Sequence, residues 1–305
     1  MIIKGKDLLG IEQLSVEEIS SILDYGEKMY GFVLKREYLK NLEGKCVATL
    51  FYENSTRTRV SFQNAALFVG AKTATLEEAG SSIMKGESLI DTADTLKSLN
   101  VDLIALRHPL SGAVQYLAKN IDIPIINAGD GAHEHPTQAL LDALVMKRKF
   151  KTFKGLKVAI IGDIKHSRVA RSNILLLNKM GAEVTVAGPG TLVPEYISEM
   201  GCKVEKNLKE AVKGANVVMT LRMQFERQKA GFVPSLKEYS KYYRISEETL
   251  NSADKSAILM HPAPINRGIE LTGEVADCEK SVILEQINSG LAVRMALLDI
   301  MIRRI

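Results

Sequence analysis

The 305-residue chain has no tryptophan, three cysteines and 6% aromatic residues. Each scarcity closes off a class of protein. Cys46, Cys202 and Cys278 are odd in number and far apart, so no disulfide framework or cysteine metal motif is legible, and a reduced, cytoplasmic setting is expected. No apolar run reaches the roughly 18 residues of a membrane span. The opening MIIKGKDLLGIEQLS also lacks the apolar core of a secretory signal. A soluble protein with no membrane partner is expected. The formal charge of +4 balances 40 basic against 36 acidic residues. A nucleic-acid binder would show a concentrated basic stripe with interleaved aromatics, and none is visible. The phosphate-loop pattern G-x-x-x-x-G-K-[ST] is missing, and Gly162 stands without the rest of G-x-G-x-x-G, so nucleotide readings are weak. Internal repeats, low-complexity tracts and flexible linkers are missing too.

What the chain does have is alternation. Short β-rich runs occur at 46–52, 73–76, 102–107 and 124–128, then at 157–162, 183–188, 216–221 and 257–260, with amphipathic stretches between them. This pattern predicts an α/β architecture with parallel sheets, and the length suits about two domains. Ser15 and Glu18 predict a capping box at one helix start, and Gly181 predicts the stop of another. The stretches 137–150 and 284–302 read as helices, with a domain division after Pro136.

Open parallel sheets bind ligands beyond the carboxyl ends of their strands. The residues just past each strand are therefore the informative ones. CVATLFY runs into ENSTRTR, which crowds Ser55, Thr56, Arg57, Thr58 and Arg59 together. Backbone N–H groups at a helix start attract anions, and hydroxyls with a guanidinium fork complete a cage suited to phosphate. The plainer account, an N-cap with solvated arginines, explains Ser55 and leaves the rest of the cluster unexplained. DLIALR leads to His108-Pro109, which leaves Arg107 at a strand end. PIINA leads to GDGAHEHPTQ, with His133, His135 and Gln138 ahead of a helix. No third ligand completes a metal motif there, and a purely structural histidine stays open.

The second half repeats the placement. KVAIIGDIKHSRVARS offers Lys165, His166, Arg168 and Arg171, and NVVMTL precedes Arg222-Met223-Gln224. AILM precedes HPAPINRG, where Pro262 and Pro264 predict an irregular backbone able to present carbonyl oxygens. One such arginine alone is a surface residue; recurrence at successive strand ends points to ligands. The segment around Gly80, Ser81, Ser82, Lys85 and Gly86 is either a flexible loop before a helix or an arm that delivers Lys85 to an anion.

In order, STRTR (55–59), SSIMKGE (81–87), RHP (107–109), HPTQ (135–138), LRMQ (221–224) and HPAP (261–264) resemble the motifs of the aspartate/ornithine carbamoyltransferase family, across essentially the whole chain. The ornithine branch typically shows HPCQ, a cysteine-containing HCLP and an SMG motif. Thr137, HPAPINRG and LRMQ fit the aspartate branch instead. The resemblance implies two doubly wound domains, each with a central parallel sheet, linked by interdomain helices. Residues 1–136 plus about 285–305 would bind carbamoyl phosphate and residues 137–284 would bind aspartate, with the C-terminal helix returning to the first domain. It further implies a homotrimer with shared active sites, Ser81 and Lys85 being supplied by the neighbouring subunit.

Family roles carry over as expectations. Ser55, Thr56, Arg57 and Thr58 would hold phosphate, with Ser81 and Lys85. Arg107 would bridge phosphate and carbonyl, His135 would contact the carbonyl oxygen, and Gln138 the carbamoyl amide. Backbone carbonyls of Pro262 and Ala263 would meet the reacting groups. Arg168, Arg222 and Gln224, with Lys85, would hold the carboxylates of aspartate. Ala263 stands where relatives often have Leu or Gly, and Lys85 is single where some have two adjacent lysines.

The implied chemistry is attack of the aspartate amine on carbamoyl phosphate, with Arg57, Thr58, Arg107, His135 and Lys85 as catalytic groups and no metal or organic cofactor. The leaving phosphate would accept the proton. Arg59, one step further into the helix, is expected to have a structural ion-pair role. Transfer to another amino acid such as ornithine, a nucleotide-binding oxidoreductase and a non-catalytic interaction protein are the competing readings. Association with regulatory chains or dihydroorotase stays open.

Overall fold

A computed structural model of the chain describes residues 2–77, 87–223 and 235–305. It contains two parallel sheets, each in its own unit: residues Met1–Leu144 with Asn288–Ile305, and residues Val145–Ile287. The divisions fall inside two helices, α5 (Pro136–Phe150) and α11 (Ile283–Arg303). The first break point lies within α5 after Leu144, where the sequence suggests a division after Pro136, and the second lies before Asn288, close to the suggested position near 285. No helix among the described residues is long and apolar enough to cross a membrane.

The sheet of the first unit comprises β1 (Cys46–Phe51), β2 (Lys72–Glu77), β3 (Leu103–His108) and β4 (Ile125–Asp130), in the order β2-β1-β3-β4. All its pairings are parallel. Strands covered on both faces read as nearly continuous apolar runs, and Val47, Ala48, Leu50, Ile104, Leu106 and Ile125 are fully buried. Each such Leu or Ile contributes about 1.5–3 kcal/mol, so one buried charge in β3 would offset a large part of a domain's stability. Helix α1 (Val16–Lys35) starts as predicted: Ser15 Oγ accepts the Glu18 N–H and Glu18 Oε2 accepts the Ser15 N–H. The remaining helices of this unit are α2 (Thr56–Phe68), α3 (Leu89–Ser98) and α4 (Ala113–Asn120). Residues 7–11 run along the free edge of β4, where Leu8 forms a parallel bridge with Ile126.

The second unit orders five parallel strands as β7-β6-β5-β8-β9. They are β5 (Lys157–Ile161), β6 (Glu183–Ala187), β7 (Lys203–Glu205), β8 (Val217–Thr220) and β9 (Ile258–Met260). Helices α6 (Arg168–Lys179), α7 (Leu208–Val212), α8 (Leu236–Tyr243), α9 (Glu247–Asn251) and α10 (Gly273–Ala276) connect or follow them. Gly181 adopts φ +85° just past α6, the left-handed turn expected of a helix stop. The eight strands expected from sequence are all present. The ninth, β7, is a three-residue edge strand with Lys203 and Val204 exposed; a single apolar residue in KVE gives no period to read.

Candidate active site

In each sheet the strand order reverses once, between β1 and β3 in the first and between β5 and β8 in the second. Such switch points leave a crevice outside the carboxyl ends of the flanking strands. The sequence places its densest clusters of cations and hydroxyls at these two positions.

At the first switch point, Phe51 is in register with Arg107, and the Tyr52 N–H donates to the Arg107 carbonyl at 2.9 Å. The STRTR segment therefore begins α2 beside Arg107. Ser55 is the N-cap residue but makes no side-chain capping bond. Its hydroxyl instead donates to Thr58 Oγ1 at 3.0 Å, which leaves the Thr58 proton available to another acceptor. Thr56 and Arg57 are exposed, Thr58 is buried and Arg59 is half-buried. Capping alone thus fails to explain Ser55, and the cluster sits at the positive end of a 13-residue helix.

Arg107 lies where the register of β3 against β4 shifts, between Leu106 and His108. Such irregularities re-aim a side chain beside functional sites. Its guanidinium is buried, pairing Nη2 with Glu53 Oε1 at 2.6 Å and Nη1 with the Ala128 carbonyl at 3.2 Å. Two partners fix the plane of the group before any ligand arrives.

The loop after β4 is built from buried polar groups. Asp130 accepts from Asn127, from the Gly112 N–H and from His133. Burial would push its carboxyl up, but the bonds from His133, Asn127 and Gly112 prevail and hold it below the usual range. Glu134 is buried and accepts the Ile11 N–H with both oxygens, at 3.0 and 2.9 Å. Next comes His135, whose carbonyl accepts the first bonds of α5 from Gln138 and Ala139. The Gln138 amide donates to Asp142 at 3.0 Å. Behind them, the buried Arg294 donates to Ser61 at 2.9 Å and Thr137 at 3.3 Å, so α2, α5 and α11 share one cation. Burial pulls that guanidinium down to about 10, with the Asp142 charge opposing.

At the second switch point, β5 ends at Ile161 and Gly162 follows, with a φ of +127° that only glycine adopts easily. Asp163 comes next, fully buried, accepting the His166 N–H at 3.1 Å and approaching His166 Nδ1 at 2.9 Å. Ser167 caps α6 through the Ala170 N–H, which places Arg168 at the first helical position, 4% exposed. A buried cation at the positive end of a helix works against the macrodipole. Arg222 comes two residues after the end of β8, half-buried. After β9, Ala263 sits at φ 53°, a left-handed conformation that costs a non-glycine residue about 1–2 kcal/mol. Its N–H donates to His261 Nδ1 at 2.8 Å, and the Ala263–Pro264 peptide is cis. This is the irregular backbone predicted at 261–264.

Ser81, Lys85 and Gln224 lie outside the described residues. The other candidates divide between the units: Ser55, Thr56, Arg57, Thr58, Arg107, His135 and Gln138 in the first, Arg168, Arg222, Pro262 and Ala263 in the second.

Family models match this chain in two pieces. Residues 6–148 match the aspartate/ornithine carbamoyltransferase carbamoyl-P binding domain and residues 154–301 match the Asp/Orn binding domain. The chain belongs to the aspartate/ornithine carbamoyltransferase family. Among curated relatives in that family, the aspartate carbamoyltransferase catalytic subunit of Caldanaerobacter subterraneus is 55% identical over 98% of both chains. That of Ruminiclostridium cellulolyticum is 52% identical over 100% of this chain and 97% of the relative. Aspartate transcarbamoylase from Trypanosoma cruzi, solved with N-(phosphonacetyl)-L-aspartic acid, superposes with a TM-score of 0.87 at 32% identity, covering 97% of this chain and 95% of its own. Ornithine carbamoyltransferase from Thermus thermophilus gives the same TM-score at 26% identity, covering 98% and 100%. Fold similarity therefore does not separate the two branches of the family.

Sequence reasoning missed the acids. Glu53, Glu134, Asp163 and Glu270 each hold a segment that carries a candidate, and His261 orders the carbonyl-presenting backbone. A signal existed for Asp163, which directly follows the β-rich run 157–162.

Proposed function

We propose that this chain transfers the carbamoyl group of carbamoyl phosphate to the amine of L-aspartate, giving N-carbamoyl-L-aspartate and phosphate, a step of pyrimidine biosynthesis. The observation that carries the choice of amino acid is the pair of arginines at the second switch point. Arg168 is buried against its helix dipole and Arg222 succeeds the adjacent strand. Two guanidiniums match a dicarboxylate and repel the cationic side chain of ornithine. The 50–55% identity to relatives named as aspartate carbamoyltransferases supports the same choice.

The division of labour comes from residue chemistry. Ser55, Thr56 and Arg57 bind the phosphate at the start of α2. Thr58, Arg107 and His135 donate to the carbonyl oxygen as it becomes an oxyanion, and Gln138 holds the carbamoyl amide. Removing one preorganised donor of this kind typically costs about 2.7–4 kcal/mol. Lys85 and Ser81 complete the phosphate contacts, and Arg168, Arg222 and Gln224, with Lys85, hold aspartate. Carbonyls of Pro262 and Ala263 accept from the reacting amino groups. The amine forms the new C–N bond, the C–O bond to phosphate breaks, and the departing phosphate takes the amine proton. The chain works as a homotrimer in the cytoplasm, a compartment suited to its three free thiols.

The deciding measurement is a steady-state assay with carbamoyl phosphate and either aspartate or ornithine. Turnover of aspartate with inhibition by a bisubstrate phosphonate is expected; preferential turnover of ornithine would overturn the assignment. For subunit sharing, inactive Ser55→Ala and Lys85→Ala trimers are mixed under conditions that exchange subunits. Exchange without recovered activity would count against it.

A further inference from the structure

One fully buried carboxylate, Glu270, lies between two of the strand-end segments of the second unit. Its Oε1 accepts the Met223 N–H at 3.0 Å and the Asn266 Nδ2–H at 2.7 Å, while Oε2 accepts the Asn266 N–H at 2.9 Å. On the other side of Arg222, the Leu221 N–H donates to the Ile161 carbonyl at 2.8 Å. The backbone is thus pinned on both sides of Arg222, to β5 before it and to Glu270 after it. The segment 261–266 is held the same way: Gln286 Oε1 accepts the His261 N–H at 3.0 Å, and Glu270 holds Asn266.

This arrangement is not the cheapest one for folding. Burial raises the Glu270 carboxyl above its ordinary range even though backbone and Asn266 donors oppose the rise. A group that the fold would rather not ionise is retained where two functional segments need one common anchor. Tyr239 packs nearby at the end of β5, where a Cβ at Gly162 would lie 3.0 Å from its hydroxyl. Burial, then the charges of Glu270 and Asp163, raise the phenol, and its oxygen has no hydrogen-bond partner among the described residues. The carboxylate is thus bonded to the site backbone while its equally buried neighbour is not.

We infer that Glu270 is a positioning residue for the amino-acid substrate, setting the placement of Arg222 and of the 261–266 backbone in a single frame; this rests on the proposed carbamoylation of aspartate. The carboxylate is a pure acceptor facing three N–H donors. Glu270→Gln keeps one oxygen and turns an NH2 group onto a donor.

The test is steady-state kinetics of the full chain with each substrate varied in turn, alongside thermal melting. Glu270→Gln is expected to raise KM for aspartate about tenfold or more, the scale of a lost bond to a charged group, with little change in Tm at neutral pH. KM for carbamoyl phosphate should rise far less. Asn266→Ala removes the side-chain donor and keeps the backbone N–H, so one of the three donors is lost and the aspartate KM should rise less, about threefold. Tyr239→Phe removes a hydroxyl that bonds none of the described residues and should leave it unchanged. An unchanged aspartate KM in Glu270→Gln, an equal rise in Tyr239→Phe, or a loss of kcat and Tm without a KM change overturns the inference. Should Glu270→Gln not fold, Asn266→Ala decides, and an unchanged KM there overturns it. Failure of the unsubstituted enzyme to carbamoylate aspartate would be seen first, and would overturn the functional reading instead.

Discussion

On the proposed function, the two switch points would bind their anions in different ways. The first concentrates its groups: three hydroxyls and two arginines fall within residues 55–59, at the start of one helix. On the proposed reading, backbone N–H groups and the helix dipole would do much of the binding there, and neighbouring residues would reinforce one another. The second spreads its groups: Arg168 and Arg222 come from different strand ends, and each segment is tied down by its own buried acid, Asp163 or Glu270. A dense site tolerates loss of a distant support, whereas a dispersed site depends on its anchors. Substitutions in each region probe that difference.

The largest effect is expected in the dense cluster. Arg57→Ala removes the exposed guanidinium between Thr56 and Thr58, and kcat should fall about 10²–10³-fold. The exposed side chain carries none of the core, so circular dichroism and Tm should be unchanged. Unaltered kcat and KM would sink the phosphate assignment. Next comes Arg222→Leu in the dispersed cluster. The loss should appear mainly in KM for aspartate, about 10–100-fold, since a hydrogen bond to a charged group is worth about 1.5–3 kcal/mol. A rise confined to the carbamoyl phosphate KM would reverse the division between the units.

A smaller effect tests whether the dense site also uses an anchor. A Cβ on Gly10 would fall 2.2 Å from Glu134 Oε1, displacing the carboxylate from the Ile11 N–H. Gly10→Ala should therefore destabilise the chain by about 1–3 kcal/mol, the cost of an unsatisfied buried group. Through His135, the neighbour of Glu134, it should raise KM for carbamoyl phosphate several-fold. Denaturant titration and kinetics on the same preparation separate the two effects. A stability loss with unchanged KM would make Glu134 structural only.

The same contrast decides what was legible in the sequence. Parallel strands buried on both faces announce themselves as apolar runs, so eight of the strands could be read directly, and β7 could not because an edge strand needs no such run. STRTR could be read as an anion cradle because its groups are contiguous. Arg168 and Arg222 emerged only from their recurrence after strands and from family resemblance. The anchors stayed hidden: Glu134 or Glu270 looks like any solvated glutamate until tertiary structure shows that it is buried against backbone N–H groups. Asn266 and Glu270 are close enough in sequence to form a turn, but the other donor to Glu270, the Met223 N–H, is 47 residues away.

The smallest effect is also the one that sets the two regions most directly against each other, because their buried carboxyls shift in opposite directions. Asp130 of the first unit is held below its ordinary 3.8. Its bonds therefore stabilise the fold above that value, and the contribution disappears as pH falls through the lowered native pKa. Glu270 of the second unit is raised above its ordinary 4.5. The native state then binds its proton more tightly than the unfolded chain does. The resulting stability is complete below 4.5 and is lost as pH rises through the raised native pKa. Asp130→Asn should consequently lower Tm at neutral pH, and by less as the pH approaches the lowered native pKa. Glu270→Gln should lower Tm at mildly acid pH and cost less, or nothing, at neutral pH. Melting curves of both variants against the unsubstituted chain across this range check the signs. If both variants lose stability most at neutral pH, Glu270 is an ordinary stabilising carboxylate, and the view of the second site as one that sacrifices stability for placement fails.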